Sequence, residues 1–388
     1  VRIAVYYDLA EGGAAFALRR FVEHLRRGHE VDVFAPAGAW PVVGDVRLAG
    51  PRPRSGRAPG ALYYLNRFTL PIANRRLVRI EAGLAETLLG YDRRLVHSCR
   101  NRGAPALLEF LNGDAHLYVT EPLRLYREPR PPDGAPPAAW IAGRAITLPI
   151  WRGLNAADRR HAREAGRVLA NSRYTASRCE AVYGRRAEVV VPPVDPHYLE
   201  EPPGEGEGDY VLSPGAFLPQ KGHGRVVRAL ATLPRRPALL VAGFRGQESY
   251  RRRLEALAER LAVPMKTISD PTRPVLRSLV RRARVVAVGA VREPFGLVAV
   301  EAQAAGRPVV VVDEGGLPET VAAGESGLTT PAGARAFGEA IARIWEDRGL
   351  ERRMGAAGRE RARVCFAPEA CGARLETALE APSGGGAP

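Results

Sequence analysis

Two carboxylates stand eight positions apart in the C-terminal half of the chain, Glu293 and Glu301, with Pro294-Phe295-Gly296-Leu297 between them. An apolar, strand-like run, Ala283–Val288, precedes the pair, and a helix-like run through Ala305 follows it. That order puts Glu293 in a loop at the carboxyl end of a strand. It puts Glu301 about two turns into the helix on nearly the same face, because eight residues at 100° each end roughly 80° past two full turns. The first N–H groups of a helix have no intrahelical acceptor, so a phosphate docks there. A carboxylate deeper in the helix accepts hydrogen bonds from hydroxyls. Phosphate binding beside hydroxyl binding is the chemistry of a nucleotide-sugar.

Lysine usage points to a second residue. The chain carries 57 Lys and Arg, but only Lys221 and Lys266 are lysines. Where arginine serves nearly everywhere, a lysine asks for a chemical reason, and a compact ammonium approaches a phosphate as a point charge where a planar guanidinium does not fit. Lys221 follows Ser213-Pro214-Gly215-Ala216, a turn after a strand-like run. Near the start, Glu11-Gly12-Gly13 follows the strand-like Val1–Tyr6 and precedes a helical pattern, so its bare backbone allows a ligand's close approach. Glu30 and Asp32 read as strand positions and not as a metal pair. Without an Asp-x-Asp at a strand end, no catalytic metal and no cofactor is expected.

At 388 residues the chain exceeds one ordinary core and predicts two domains. The apolar fraction, 46%, suits buried α/β sheets, and no apolar run is long enough for a membrane span. Val1–Tyr6 reads as a strand and not as a signal peptide. Cys99, Cys179, Cys365 and Cys371 are scattered, without zinc or disulfide spacing, so a reduced cytoplasmic protein is expected. The net charge of +15 comes without a nucleic-acid recognition motif, so nucleic acid is not an expected partner. A compositional bias towards arginine accounts for such a charge, and an anionic membrane face is the alternative, which would place the protein peripherally at the inner membrane surface. The basic amphipathic segment Arg19–Arg27 reads as a core-packing helix, with membrane docking as its alternative.

Strand and helix patterns alternate twice. Val1–Tyr6, Ala14–Arg27 and His29–Phe34 open a Rossmann-like unit. Helical segments lie around Leu62–Leu89, and short strands at Arg94–Ser98, His116–Thr120 and Val168–Asn171; Ser172 caps a helix through Tyr183. Pro36–Pro59 and Glu128–Pro137 read as proline-rich loops. Pro192–Asp209, with its Pro-Pro and Gly-Glu repeats, reads as a linker. A second alternation starts at Tyr210, and the tail Ser383–Pro388 is expected to be disordered. The domains are accordingly 1–193, a linker over 194–209, and 210–365.

Several motifs, in order, resemble the retaining glycosyltransferases of the GT4 type (group 1), which have the GT-B fold. They are Gly12-Gly13; Arg27-Gly28-His29-Glu30-Val31; Leu169–Tyr183; Val191-Pro192-Pro193-Val194-Asp195; Lys221-Gly222; Glu293 to Glu301; Ala305-Gly306-Arg307-Pro308-Val309-Val310; and Gly315-Gly316-Leu317-Pro318-Glu319. The resemblance implies two Rossmann-like domains facing across a cleft, with helix 366–382 joining the N-terminal one. It implies sugar transfer from a nucleotide-diphosphate donor to a hydroxyl of a glycan, a lipid-linked sugar or a small molecule, with retention and without metal. Glu293 and Lys221 would be the catalytic residues. Gly12, Gly13, Gly215, Pro294, Phe295, Gly296, Leu297 and Glu301 would complete the donor site, with Glu301 on the ribose. Thr120 and His97 are the acceptor-side candidates. Two positions depart from the pattern: Ala216 stands where the family has an arginine, and Thr120 where it often has a histidine. Arg245 and Arg292 are the candidate replacements for the missing cation. The departures keep open a non-catalytic glycan-binding or scaffold subunit, and the fold also serves sugar-nucleotide epimerases and phosphorylases.

Overall fold

The computed structural model describes residues 1–49, 62–99, 103–122, 137–204, 207–244 and 246–381. The tail, Arg245, most of the Glu128–Pro137 segment and the end of the Pro36–Pro59 segment lie outside them. The chain divides into two compact units, Val1–Val191 with Gly372–Pro388, and Pro192–Cys371.

The first unit is built on a seven-stranded parallel sheet of order β3-β2-β1-β4-β5-β6-β7. Its strands are β1 (Arg2–Tyr6), β2 (Glu30–Ala35), β3 (Arg47–Leu48), β4 (Arg93–His97), β5 (His116–Val119), β6 (Arg167–Ala170) and β7 (Glu188–Val189). Val5 pairs with Val33 on one side and Leu95 on the other, so the strand order reverses at β1 and β4. Helix Gly13–Leu25 buries Leu18, Phe21, Val22 and Leu25 in the core. Its cations are engaged. Arg20 pairs with Glu23 and Arg26 with Asp45, while Arg19 bonds the Val42 carbonyl and stacks over Trp40. With its apolar face inside, this helix is a core-packing element. The end of helix Pro368–Glu380 belongs to the same unit: Glu376 accepts from His24 and His29, at 3.2 and 2.7 Å.

The second unit has a six-stranded parallel sheet of order β10-β9-β8-β11-β12-β13. Its strands are β8 (Tyr210–Pro214), β9 (Ala238–Gly243), β10 (Met265–Ser269), β11 (Val285–Val288), β12 (Val309–Val312) and β13 (Gly327–Thr330). The four valines of β12 are completely buried, as expected of a parallel strand covered on both faces. Here the order reverses between β8 and β11. Ligands of open parallel sheets bind beyond the carboxyl ends of the strands at such a reversal.

The segment expected to be a linker is folded onto the second unit. Val194 N–H bonds Phe366 O, Gly204 N–H bonds Ala305 O, and His197–Glu200 is a short helix. Arg359 donates to the carbonyls of Tyr198, Leu199 and Glu201. Proline and glycine exclude regular pairing there, and arginine side chains satisfy the carbonyls instead. Arg307, from the Ala305–Val310 motif, is 2% exposed; it bonds Glu351 at 2.6 Å and Gly204 O at 2.5 Å. Arg284 shares the same carboxylate at 3.1 Å.

Candidate functional site

β8 delivers the chain to Gly215, whose N–H bonds Ala242 O at the end of the neighbouring strand. A single 3-10 turn, Pro219–Lys221, leads to Gly222 and then to helix His223–Ala231. Gly222 has φ 73°, and a Cβ there would lie 1.9 Å from the Gly289 carbonyl oxygen. Only glycine lets this turn nest on the loop that follows β11, and the nesting brings Lys221 to that loop.

The loop after β11 carries Glu293. Arg292, just before it, has φ 52°, unusual for a residue with a Cβ. Phe295 is buried and meets Phe366 edge to face at 5.8 Å. Gly296, at φ 109°, starts helix Leu297–Ala304. A glycine N-cap has no side-chain oxygen, so it leaves the N–H groups of Leu297 and Val298 uncapped by its own side chain. The pair Gly315-Gly316 seats this loop from outside. Gly316 N–H bonds Glu293 O at 2.7 Å, and a Cβ on Gly316 would stand 2.2 Å from Pro294 O.

Lys221 and Glu293, from the two strands that flank the reversal, meet directly. Nζ lies 2.9 Å from Oε1 and 3.0 Å from Oε2, a two-pronged ion pair. The side chains are 32% and 19% exposed, so both remain reachable by a ligand. Glu301 is the fifth residue of its helix, just over one turn in, and Glu293 lies outside the helix. The helical-face estimate therefore does not apply to the pair, since the turn at Pro294–Gly296 resets the direction of the chain.

Burial pushes the Glu301 carboxyl up to about 7; the nearby Arg273 guanidinium opposes the rise and Asp195 adds to it. Glu301 keeps part of its surface open to solvent, and the dense protein around it dominates the effect. Arg273 also stands 3.7 Å from Asp195. Burial raises the Tyr198 hydroxyl well above its ordinary range, and the Glu301 charge adds to that.

In the first unit, Gly12, Gly13, His97 and Thr120 follow or end β1, β4 and β5. Gly12 (φ 156°) starts helix Gly13–Leu25, with open space where a Cβ would sit. His97 is buried, and Nδ1 is 2.8 Å from Ser98 O; burial lowers its pKa to about 4, so the ring is neutral. Thr120 is partly open, with its hydroxyl 3.3 Å from that of Ser98. Lys221 and Glu293 thus meet where the loops after β8 and β11 come together, with Gly215 in the first loop and Pro294, Phe295 and Gly296 in the second; Leu297 and Glu301 lie in the helix that follows, Glu301 beside Asp195 and Arg273, and Gly12, Gly13 and Thr120 lie at strand ends of the first unit. Arg292 is exposed beside Glu293.

The structure adds residues that sequence reasoning assigned no role. Gly315 and Gly316 shape the Glu293 loop, and their adjacency was the available signal. Asp195, Tyr198 and Arg273 surround Glu301, and only three-dimensional folding reveals them.

Two units, each built on a parallel α/β sheet, one of seven strands and one of six, have the GT-B fold. Sucrose-phosphate synthase from Thermosynechococcus elongatus superposes with a TM-score of 0.71 over 98% of both chains at 21% identity. HepE from Anabaena, in complex with UDP and glucose, gives 0.69 over 98% of this chain and 99% of that one at 18% identity. WaaG, a glycosyltransferase involved in lipopolysaccharide biosynthesis, gives 0.69 over 98% and 100% at 17%. Residues 199–361 match the Glycosyl transferases group 1 family. D-inositol 3-phosphate glycosyltransferase from Kribbella flavida is 36% identical over 222 residues, 51% of this chain and 52% of that protein. The Nocardia farcinica protein of the same name is 35% identical over 214 residues, 50% and 48% of the two chains. The chain thus spans about half the length of the curated relatives it matches. Among the described residues no helix is long and apolar enough to cross a membrane, and no cluster of His, Cys, Asp and Glu could hold a metal ion.

Proposed function

We propose that the protein transfers a sugar from a nucleoside-diphosphate donor to a hydroxyl acceptor, with the second unit holding the donor and the first the acceptor. The observation that carries this reading is the Lys221–Glu293 pair, set at a strand reversal beside the uncapped start of helix Leu297–Ala304, inside the segment that matches the family. Lys221 neutralises the diphosphate as the anomeric C–O bond breaks, and the amides of Leu297 and Val298 share that charge. Glu293, released from Lys221 when the donor enters, accepts hydrogen bonds from sugar hydroxyls. Glu301 accepts from the ribose. The leaving phosphate takes the acceptor's proton on the same face, which gives retention.

The names of the relatives refine the reading. HepE has been captured with UDP-glucose, and the curated relatives are named for an inositol phosphate. A uridine-diphosphate hexose and a polyol acceptor are accordingly the first pair to test. The assay is release of the nucleoside diphosphate in the presence of UDP-glucose and a panel of polyols, sugars and lipid-linked sugars. Wild type should turn over with one acceptor, and Glu293→Gln should lose activity by a factor on the order of a hundred or more, with the melting curve kept. Near-wild-type turnover in the variant would sink the assignment. Membrane association is part of the proposal only through the +15 charge, and co-sedimentation with anionic vesicles tests it.

A further inference from the structure

Immediately after Lys221-Gly222 comes His223, which lies completely buried behind the Gly215–Gly222 loop. Both ring nitrogens are engaged. Nδ1 is 2.8 Å from the hydroxyl of Ser213, the next-to-last residue of β8, and Nε2 is 3.2 Å from the carbonyl oxygen of Ala216. A carbonyl only accepts, so Nε2 carries the proton and Nδ1 takes the bond from the Ser213 hydroxyl. One tautomer satisfies both contacts. Burial lowers the imidazole to about 4, with Lys221 nearby acting in the same direction, so the ring is neutral at ordinary pH.

The ring fixes the part of the loop where the family's arginine is missing. Ala216 O accepts from His223 and from Leu218 N–H at 2.7 Å. A Cβ on Gly215 would touch His223 Cε1 and Lys221 Cγ, both at 3.6 Å, so the imidazole and the lysine stem together line the Gly215 backbone. The Gly215 carbonyl is pressed against Gly243, where a Cβ would lie 1.8 Å from its oxygen. A trans peptide is planar with N–H opposite C=O, so the Ala216 N–H faces away from Gly243. The N–H groups of Gly215, Leu218 and Lys221 are spent on Ala242 O, Ala216 O and Leu218 O, so with alanine at 216 the loop offers a diphosphate the Lys221 ammonium and the Ala216 N–H, whose direction depends on what holds the Ala216 peptide.

We infer that His223 is a positioning residue for the donor: locked between Ser213 and Ala216, it aims the Gly215–Lys221 loop at the diphosphate. The inference rests on the donor-binding reading above. The full chain would be titrated calorimetrically with UDP, GDP, ADP and TDP, and donor KM and kcat would be measured in parallel. His223→Phe keeps ring volume and removes both bonds. It should weaken the nucleoside diphosphate about tenfold, the worth of one buried hydrogen bond, with the loss falling on donor KM more than on kcat. His223→Gln can accept from Ser213 and donate to Ala216, and should return affinity to within about threefold of wild type. Ser213→Ala frees the other tautomer and should cost about threefold, which decides the matter if His223→Phe does not fold. Wild-type affinity in His223→Phe or Ser213→Ala, or His223→Gln as weak as His223→Phe, would overturn the inference while leaving the donor site standing. Wild type that binds none of the four nucleotides would overturn the donor reading, and the inference falls with it.

Discussion

Lys221 and Glu293 neutralise each other as an ion pair, and this predicts that Glu293→Gln rescues Lys221→Ala in a double-mutant cycle. UDP carries the diphosphate without the sugar, so its affinity reports Lys221 and the charge beside it without the sugar's contact to Glu293. Lys221→Ala removes a charged hydrogen bond to phosphate, worth about 1.5–3 kcal/mol. It also leaves Glu293 facing the diphosphate unshielded. With the pair at 2.9 Å, a phosphate oxygen bound to the same ammonium would stand roughly 5 Å from the carboxylate. Two like charges at that separation repel by about 3 kcal/mol at an effective dielectric near 20. Solvent access to the pair reduces this to about 1–2 kcal/mol. Lys221→Ala should therefore weaken UDP by a factor on the order of a hundred to a thousand or more. Adding Glu293→Gln should recover about tenfold of that loss, although it removes a second residue of the site. Glu293→Gln alone should bind UDP as well as wild type or more tightly, because Lys221 no longer has to leave a partner. Isothermal titration at low and moderate salt measures all four corners, and the rescue should shrink as salt rises. Equal UDP affinity in Lys221→Ala and the double variant would refute the reasoning.

Glu301 gives a pH signature. Its folded pKa is raised to about 7 from 4.5, so the folded state holds a proton that the unfolded state has lost between those values. Stability from this group is therefore fully present below about 4.5 and is lost as pH rises to 7. Glu301→Gln should raise stability at pH 8 by on the order of 2 kcal/mol and make little difference at pH 4, read from thermal melts across pH. Gly316→Ala pushes a methyl into Pro294 O and should cost about 1–3 kcal/mol in denaturant melts while weakening UDP binding, because the Glu293 loop must shift. Glu351→Ala strands two buried guanidinium groups, Arg307 and Arg284, and should cost about 3–5 kcal/mol by the same assay. Glu376 is held below its usual range by His29 and His24, so its contribution is present above the unfolded carboxyl value and is lost as pH falls through the folded one. Protection factors for hydrogen exchange in helix Pro368–Glu380, taken relative to the intrinsic rate at each pH, should therefore fall in acid, and Glu376→Gln should remove that pH dependence.

Much of the second unit could be read from the sequence because its signals are local. β12 is an unbroken valine run, β11 is apolar and short, and the loops that follow β8 and β11 carry glycines that tolerate no other residue. Glu293 and Lys221 were found separately, one by spacing and one by rarity; that they touch is a fact of the sheet order, which places β8 beside β11. Strand β10 carries little signal in the sequence because MKTIS is an edge strand with partly exposed residues and no alternation. Helix Pro137–Arg163 was hidden by the prolines before it and by Pro149 within it. The segment 194–209 looked like a linker because composition shows where a backbone lacks regular pairing, and it does not show that Arg359 and Arg307 supply the missing partners. His97 ends a strand as expected, but burial is a property of the packed unit and no spacing reports it.

The most direct test is a titration of wild type, Lys221→Ala and Glu301→Ala with the four nucleoside diphosphates, followed by their sugars. The account predicts that one nucleotide binds wild type, that both variants lose affinity for it, and that its sugar donor binds in the same place by competition. Binding that is absent in wild type, or indifferent to both substitutions, would contradict it.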